Sequence, residues 1–266
     1  MEEQELIKNC LAGDKKSLEK LIYSIQPLVF NLSLRFLWNR EDAEDATQEI
    51  LIKIVTNLSK FQGRSKFKTW VYRVASNYLI NQKQTKIETV LTSFDVYAED
   101  LKKIKEPQEY NLPDKDLLEK ELKTSCTLAM LQCLSRELRV TFILGSVIKL
   151  NSKIGAEITE TTPENFRKRL EKSRKILESF LNSNCGVYNP NNNCRCNKRI
   201  NTALSCGRMD KYKLNFVNKI DSYNTEMEEL HSLSGMYKNH GQFKSDNDFM
   251  NHLNKLLSTK NIIRAN

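Results

Sequence analysis

The chain has 266 residues, and its 42 Lys and Arg against 33 Asp and Glu leave a formal net charge of +9. The low counts of glycine (8) and proline (5) exclude a turn-rich all-β fold, and no apolar run is long enough to cross a membrane. The acidic N-terminus, MEEQELIKNC, lacks the apolar segment of a signal peptide, so we expect a cytoplasmic protein. The charge favours an anionic partner, either a nucleic acid or an anionic membrane surface.

Residues 1–86 have helical periodicity, and one helix in this range has two contrasting faces. In "DAEDATQEILIKIV" the apolar residues Ala46, Ile50 and Ile54 share one face. The opposite face carries side chains at positions i, i+3, i+4 and i+7, namely Asp45, Gln48, Glu49 and Ile52. One interpretation is a solvated acidic stripe, and the other is a protein-docking surface with an aliphatic centre.

The stretch "FQGRSKFKTWVYRVASN" combines a loop with a helix. The predicted core stripe of this helix is Phe67, Val71, Val74 and Tyr78. The neighbouring polar stripe is Lys66, Arg73, Asn77 and Asn81, with Trp70 on the border. In the loop, Gly63 permits an unusual backbone turn, while Phe61, Arg64 and Ser65 supply an aromatic ring and donors. The combination suits single-stranded nucleic acid, and a basic loop above a packed helix is the alternative.

Helical periodicity fades over residues 87–111, where a polar, proline-containing segment predicts a flexible linker. It returns over residues 117–181. There the short helix "SKIGAEI" precedes a basic helix, "PENFRKRLEKSRKIL", which Thr161 or Thr162 is expected to cap. This order is typical of a helix-turn-helix, whose second helix enters the major groove of DNA. A charged surface helix is the alternative.

Together, these segments resemble the extracytoplasmic-function (ECF) group of bacterial RNA polymerase sigma factors, within the sigma-70 family. The residues that carry the resemblance are "DAEDATQE", "FQGRSKFKTWVYRVASN" and the block from "LSRELR" to "RKRLEKSRKIL". The resemblance implies an all-α fold with two small helical domains. The implied division is region 2 at 1–86, a linker at 87–116, the region 4 helix-turn-helix at 117–181 and a C-terminal extension at 182–266. The implied function is to direct core RNA polymerase to promoters, without catalysis by this chain.

The resemblance also implies the site residues. Those expected to dock on the clamp helices of the largest polymerase subunit are Asp45, Gln48, Glu49 and Ile52. Those expected to open the −10 promoter element and hold it single-stranded are Phe61, Arg64, Ser65, Lys66, Trp70, Arg73 and Asn77. Those expected to read the duplex −35 element are Arg167, Lys168, Glu171, Lys172 and Arg174. An anti-sigma factor is a further candidate partner.

Two positions depart from the pattern of the family. Gly155 stands inside a helix that would prefer alanine, where the family usually has "EIA". Glu171 stands where the family often has an aromatic or basic residue, and its carboxylate is suited to accept from a cytosine N4 amino group.

The C-terminal extension carries cysteines in the pattern C-x8-C-x-C-x9-C. These are Cys185, Cys194, Cys196 and Cys206. Four thiolates would form a tetrahedral zinc site of structural or sensory type, and the resemblance implies a regulatory role for the extension. The alternatives are a cluster of free thiols and a redox-sensitive pair at Cys194 and Cys196. The neighbouring cations would equally suit phosphate contacts: Arg195, Lys198 and Arg199.

Two other functions are compatible with parts of the chain. A stand-alone helix-turn-helix regulator would bind duplex DNA through residues 163–177 without polymerase. A metalloenzyme could use the cysteines and the three histidines, His231, His240 and His252, but we find no H-E-x-x-H, P-loop or deaminase motif. The sigma-factor interpretation covers most of the chain. Its partners are core polymerase and promoter DNA, duplex and single-stranded, with no membrane.

Overall fold

The computed structural model describes residues 2–90, 93–102, 109–217 and 242–245, and within these ranges the chain is all-α. This confirms the predicted fold class. The α-helices are α1 (Glu2–Leu11), α2 (Lys15–Leu37), α3 (Arg40–Thr56), α4 (Phe67–Asn81), α5 (Lys86–Val90), α6 (Phe94–Lys102), α7 (Lys115–Gln132), α8 (Arg136–Phe142), α9 (Ser152–Ile158), α10 (Pro163–Asn184) and α11 (Cys196–Ser205). A 3-10 turn (Leu58–Lys60) follows α3, and a π-helical segment (Ile143–Val147) follows α8.

The described residues divide into two compact units that interleave along the chain. The described residues of unit 1 are 2–83, 151–166 and 242–245, and those of unit 2 are 84–90, 93–102, 109–150 and 167–217. The first half of the predicted helix-turn-helix therefore belongs to unit 1, whereas most of α10 belongs to unit 2.

Polar side chains at the caps fix where several helices begin. The carboxylate of Asp14 accepts from the backbone N–H groups of Lys16 and Ser17 at the start of α2. Asn39 does the same for α3, and Asn151 for α9. These caps satisfy N–H groups that have no partner within the helix.

Unit 1 is built around α2, which packs against α1, α3 and α4. Its apolar side chains are almost fully buried, as for Ile22, Val29 and Phe30. A proline inside a helix usually bends or breaks it, but α2 runs unbroken from Lys15 to Leu37 with Pro27 inside it. The proline removes its own N–H donor and crowds the carbonyl four residues earlier, and tertiary packing on three sides offsets this cost.

The buried stripe of α4 differs from the predicted one. Phe67 and Val71 are buried as expected, but the row continues through Ala75 and Leu79. Val74 and Tyr78 are only half-buried. The buried residues, spaced four apart, face α2 and α3. The predicted core face was therefore rotated slightly around the helix axis from the observed one.

Unit 2 contains two helices, α5 and α6, in the segment that we predicted as a flexible linker. In α6 the ring of Tyr97 is buried and stacks on Phe180 with a centroid distance of 5.5 Å, and Phe94 contacts the same ring at 5.1 Å. These partners are far away in sequence, so local periodicity could not reveal them. Residues 103–108 of the predicted linker, including Pro107, lie outside the described residues.

The first part of the C-terminal extension also folds into unit 2. Helix α11 packs on α7 and forms a core with it: Tyr110, Leu118, Ile200, Ala203 and Met209. Further along, the buried carboxylate of Glu121 accepts from the backbone N–H groups of Asn215, Phe216 and Val217 at 2.7–3.0 Å. The extension therefore contacts α7 both through α11 and through residues 215–217.

Candidate functional site

The acidic face of α3, defined as Asp45, Gln48, Glu49 and Ile52, lies on the side of the helix that faces away from the core. Asp45 and Glu49 are exposed, and Gln48 and Ile52 are half-buried. The opposite side is buried through Ala43, Ala46, Ile50 and Ile54. The helix thus presents carboxylates around an accessible aliphatic side chain, as the sequence predicted.

Tyr78 of α4 extends this face, although the sequence analysis placed it in the core. Burial raises the pKa of the Tyr78 phenol, and the negative charges of Glu49 and Asp45 raise it further. The ammonium of Lys53 lies 5.8 Å from the centre of the Tyr78 ring. A phenol thus accompanies the two carboxylates. A correct assignment of the buried face of α4 would have placed Tyr78 at the border of the core.

The loop before α4 has the backbone turn that was predicted for it. Gly63 adopts φ +68°, a left-handed conformation that glycine reaches without strain. Arg64 and Lys66 are exposed, and Ser65 is half-buried. The loop therefore presents two cations and a hydroxyl directly before α4.

Three aromatic rings form a cluster beside this loop. Phe61 meets Phe67 edge-on at 5.2 Å and Trp70 at 5.6 Å, while Phe67 and Trp70 stack at 5.7 Å. Phe67 is buried, whereas Phe61 and Trp70 are half-buried. Trp70 thus serves in packing and still has accessible surface, which explains its position on the border of the two stripes.

The predicted polar stripe of α4 contacts α9 inside unit 1. The guanidinium of Arg73 donates to the carboxylate of Glu157 at 2.7 Å and to the Glu157 carbonyl at 3.1 Å. The side chain of Asn81 donates to the carbonyl of Asn77 at 2.8 Å. In this arrangement Arg73 is engaged with a carboxylate, while the half-buried amide of Asn77 lies one turn away.

Both helices of the predicted helix-turn-helix, α9 and α10, are present, and Thr162 caps α10. The Thr162 hydroxyl accepts from the N–H of Asn165 at 3.2 Å. Phe166 and Leu177 of α10 are fully buried, so its basic side chains are directed outward. The exposed set is Arg167, Lys168, Glu171, Lys172 and Arg174.

Glu171 and Arg174 of this set contact other side chains of the protein. Lys175 pairs with Glu171 at 2.7 Å, and this bond lowers the pKa of Glu171 and raises that of Lys175. The Nε of Arg174 donates to the Ser146 hydroxyl at 3.0 Å. Lys175 donates to Oε1 of this carboxylate, so a base that donates to Glu171 would share the carboxylate with Lys175.

The cysteines of the predicted quartet differ in their surroundings. Cys206 is exposed, and its thiol donates to the carbonyl of Ala203 at 3.8 Å. Cys126 of α7, which the spacing pattern missed, lies close enough to Cys185, Cys194 and Cys196 for the thiols to interact electrostatically. A cysteine in another segment of the chain could not be found by spacing within the tail.

Burial disfavours the ionised form of two of these thiols. Burial raises the pKa of Cys126 to about 12 and raises that of Cys196 well above its ordinary value. All seven cysteines are free thiols. In the part of the chain that the structure describes, no three His, Cys, Asp or Glu residues are placed to hold a metal ion. The zinc site at Cys185, Cys194, Cys196 and Cys206 stays a prediction, and the three histidines lie outside the described residues.

Comparison with known proteins agrees with this geometry. The model of Sigma-70 region 2 matches residues 21–86, which hold the acidic face, the loop and α4. The RNA polymerase sigma-H factor of Pseudomonas aeruginosa is 30% identical over 183 residues, which cover 68% of this chain and 94% of that protein. The chain belongs to the ECF group of the sigma-70 family.

Other relatives of this sigma factor support the same assignment. The ECF RNA polymerase sigma-E factor of Haemophilus influenzae is 27% identical over 186 residues, covering 67% of this chain and 95% of that protein. The sigma-E factor of Escherichia coli is 26% identical over 181 residues, covering 66% and 93%. The protein is therefore a sigma factor of transcription initiation, with RNA polymerase core and promoter DNA as partners. Among its described residues, no helix is long and apolar enough to span a bilayer.

Proposed function

We propose that this sigma factor docks on the clamp helices of the largest polymerase subunit through the acidic face of α3. The observation that carries the proposal is the combination of exposed Asp45 and Glu49 with the accessible aliphatic side chain of Ile52. Carboxylates steer and orient a basic partner, while the apolar centre contributes most of the affinity. Tyr78 adds an aromatic side chain to this surface, a residue type that is enriched at interfaces.

The loop and the aromatic cluster of unit 1 are proposed to act on the −10 element. Half-exposed rings of Phe61 and Trp70 offer stacking surfaces for bases, while Arg64 and Lys66 are placed for phosphates. Ser65 and Asn77 supply hydrogen-bonding groups nearby. Arg73 already donates to Glu157 through one edge of its guanidinium. It would therefore have to exchange this partner for a phosphate when DNA binds.

Helix α10 is proposed to read the −35 element in duplex form. The exposed cations Arg167, Lys168 and Lys172 supply the charge that attracts the phosphate backbone. The Thr162 cap and the buried Phe166 fix the start of the helix relative to α9. Recognition of bases would then fall to the exposed side chains of its first turns.

The division of the chain into region 2 (1–86), linker (87–116), region 4 (117–181) and extension (182–266) remains a proposal, as does a regulatory role of the extension. The packing of α11 on α7 supports a role coupled to region 4. An anti-sigma factor that inhibits this protein would need to cover the acidic face or α10.

The docking proposal is tested by measuring the affinity of the purified chain for core polymerase. The double variant Asp45→Ala/Gln48→Ala should weaken binding by about 30-fold or more, the usual effect of losing interface hot spots. Glu19→Ala, which removes an exposed carboxylate from α2, is the matched control and should bind as the wild type does. Equal affinity of the double variant and the control would contradict the proposal. A chain that binds duplex DNA tightly and core not at all would instead be a stand-alone regulator.

A further inference from the structure

A cavity of about 540 Å³ lies in unit 2 beside the first turn of α11. Its wall combines the end of α6, the end of α10, the loop that follows α10 and the start of α11. Four cations line it: Lys102, Arg195, Lys198 and Arg199. None of the described residues that line the cavity is a carboxylate, so its wall concentrates positive charge.

The two arginines are held in place by neutral acceptors. The guanidinium of Arg195 donates to the carbonyls of Pro190 at 2.9 Å and Cys194 at 3.1 Å. The Nη2 of Arg199 donates to the carbonyl of Leu101 at 2.7 Å. A carbonyl orients a guanidinium without neutralising its charge, so both positive charges are fixed at the cavity and lack a compensating carboxylate in its wall.

Arg199 also has a donor that the described residues leave unused. Its Nη1 is buried and has no hydrogen-bond partner among them. Burial raises the pKa of the neighbouring Cys194 thiol, and the positive charge of Arg199 opposes this rise, but a thiol is only a weak acceptor. A buried donor without a partner is costly, and an anion in the cavity would satisfy it after a small rotation of the guanidinium.

The two lysines add charge at the exposed side of the cavity. Lys102 and Lys198 are both exposed, and neither is ion-paired with another residue in the described ranges. The carboxylate nearest in sequence to Lys102, that of Asp100, forms two bonds of 2.6 Å with Arg208. Both ammonium groups can therefore meet a ligand without first breaking an ion pair with a described carboxylate.

The helix ends at the cavity are compatible with an anion. Helix α11 starts there, and the positive end of a helix dipole favours negative charge. The carbonyl of Asn182, near the end of α10, accepts from the side chains of Asn189 and Asn192, each at 2.9 Å. These two amides offset an acceptor that would otherwise repel an anion.

We propose that this cavity binds a small molecule that carries a diphosphate group. Guanidinium groups match the geometry of phosphate oxygens, and two of them with two lysines supply enough charge for two linked phosphates. The volume lies within the range of about 300–1,000 Å³ that is usual for small-molecule sites, so a single inorganic phosphate would fill little of it. The C-terminal extension would thus have a ligand-binding function, which does not depend on the docking face of α3.

The test titrates the full-length chain with ADP and with inorganic pyrophosphate in a calorimeter. We expect both to bind, with affinities that fall as the salt concentration rises because the contacts are ionic. Tighter binding of ADP would identify a nucleotide as the ligand, whereas equal affinities would identify the diphosphate group alone. Adenosine, which has no phosphate, should not bind. Failure of both diphosphates to bind at millimolar concentration would overturn the proposal.

The double variant Lys102→Ala/Lys198→Ala removes two exposed cations of the cavity, and urea unfolding checks that its fold is intact. Lys86→Ala/Lys211→Ala removes the same charge from exposed positions of unit 2 outside the cavity and is the matched control. We expect the cavity variant to bind ADP about 30-fold more weakly, since each bond from a charged donor contributes roughly tenfold and exposed pairs contribute less. The control should bind ADP as the wild type does, and an equal loss in both variants would contradict the site.

Two further titrations test other classes of ligand. Citrate carries a similar charge on carboxylates, and we expect it to bind more weakly than pyrophosphate; equal affinity would overturn the assignment to phosphate. A short DNA duplex without a promoter should bind both double variants equally. Weaker DNA binding by the cavity variant than by the control, with unchanged ADP binding, would assign these cations to the DNA backbone and overturn the proposal.

Discussion

The carboxylate of Glu88 lies between two arginines of α8 inside unit 2. It accepts from Arg136 at 2.6 and 3.0 Å and from Arg139 at 2.8 Å. Arg139 is only 2% exposed and also donates to the carbonyls of Leu131 and Gln132 at the end of α7. Burial alone would raise the pKa of Glu88, but the hydrogen bonds and the two positive charges lower it to about 2.

Replacing Glu88 by Gln should therefore destabilise unit 2. The lowered pKa corresponds to roughly 3 kcal/mol of unfolding free energy at neutral pH, and Arg139 would keep a buried charge without its carboxylate. In the wild type this contribution is fully present above the ordinary pKa of 4.5 and is lost as the pH falls towards 2. Urea unfolding at several pH values measures both effects.

Glu171→Gln is the matched control for this prediction. Its partner Lys175 is exposed and solvent screens the pair, so the variant should leave the unfolding free energy close to the wild-type value. Equal stabilities of Glu88→Gln and Glu171→Gln at neutral pH would contradict the role assigned to the Glu88 pair.

For individual residues, some predictions from the sequence were confirmed and others were wrong. The cap at Thr162 and the positive φ of Gly63 follow from residue chemistry, and both are confirmed. The positions of Val74 and Tyr78 were wrong, because a small error in phasing moves a residue from core to border. The proximity of Cys126 to the tail cysteines depends on tertiary packing, which spacing does not encode.

Among the elements, the contact between α9 and α10 explains an unexpected residue. Gly155 lies in α9, where alanine would normally be preferred. A Cβ at this position would lie at or within 2.7 Å of three atoms of the Phe166 ring. The two helices of the helix-turn-helix therefore approach more closely than a side chain at residue 155 would allow.

We accordingly expect Gly155→Ala to destabilise the protein, although propensity alone predicts a gain of up to about 1 kcal/mol. Overpacking against Phe166 should cost about 1–3 kcal/mol, measured as a loss of unfolding free energy in urea. Lys153→Ala, at an exposed position of the same helix, is the control and should stay within about 0.5 kcal/mol of the wild type. A Gly155→Ala variant more stable than that control would show that the ring moves aside.

Helices α5 and α6 were not predicted from the sequence, and both for the same reason. Their stability comes from partners in distant segments, such as Phe180 for Tyr97 and Arg208 for Asp100. Long amphipathic helices like α3 and α10 were found because their own periodicity specifies them. Short helices in a polar, proline-containing stretch carry too little local signal.

For the whole molecule, family membership was accessible from sequence because the motifs in residues 21–86 are specific. The arrangement of the extension was not accessible. Its first part packs on α7 through Ile200 and Ala203, while the backbone N–H of Phe243 donates to Asn31 within unit 1. Both contacts join residues more than 80 positions apart, beyond the reach of periodicity or spacing.

Run-off transcription with purified core polymerase, this chain and genomic DNA fragments tests whether the chain directs polymerase to promoters. We expect discrete, promoter-dependent transcripts that require the chain and that disappear with Asp45→Ala/Gln48→Ala but persist with Glu19→Ala. Transcripts that are the same with and without the chain, from a core preparation active with another sigma factor, would contradict it.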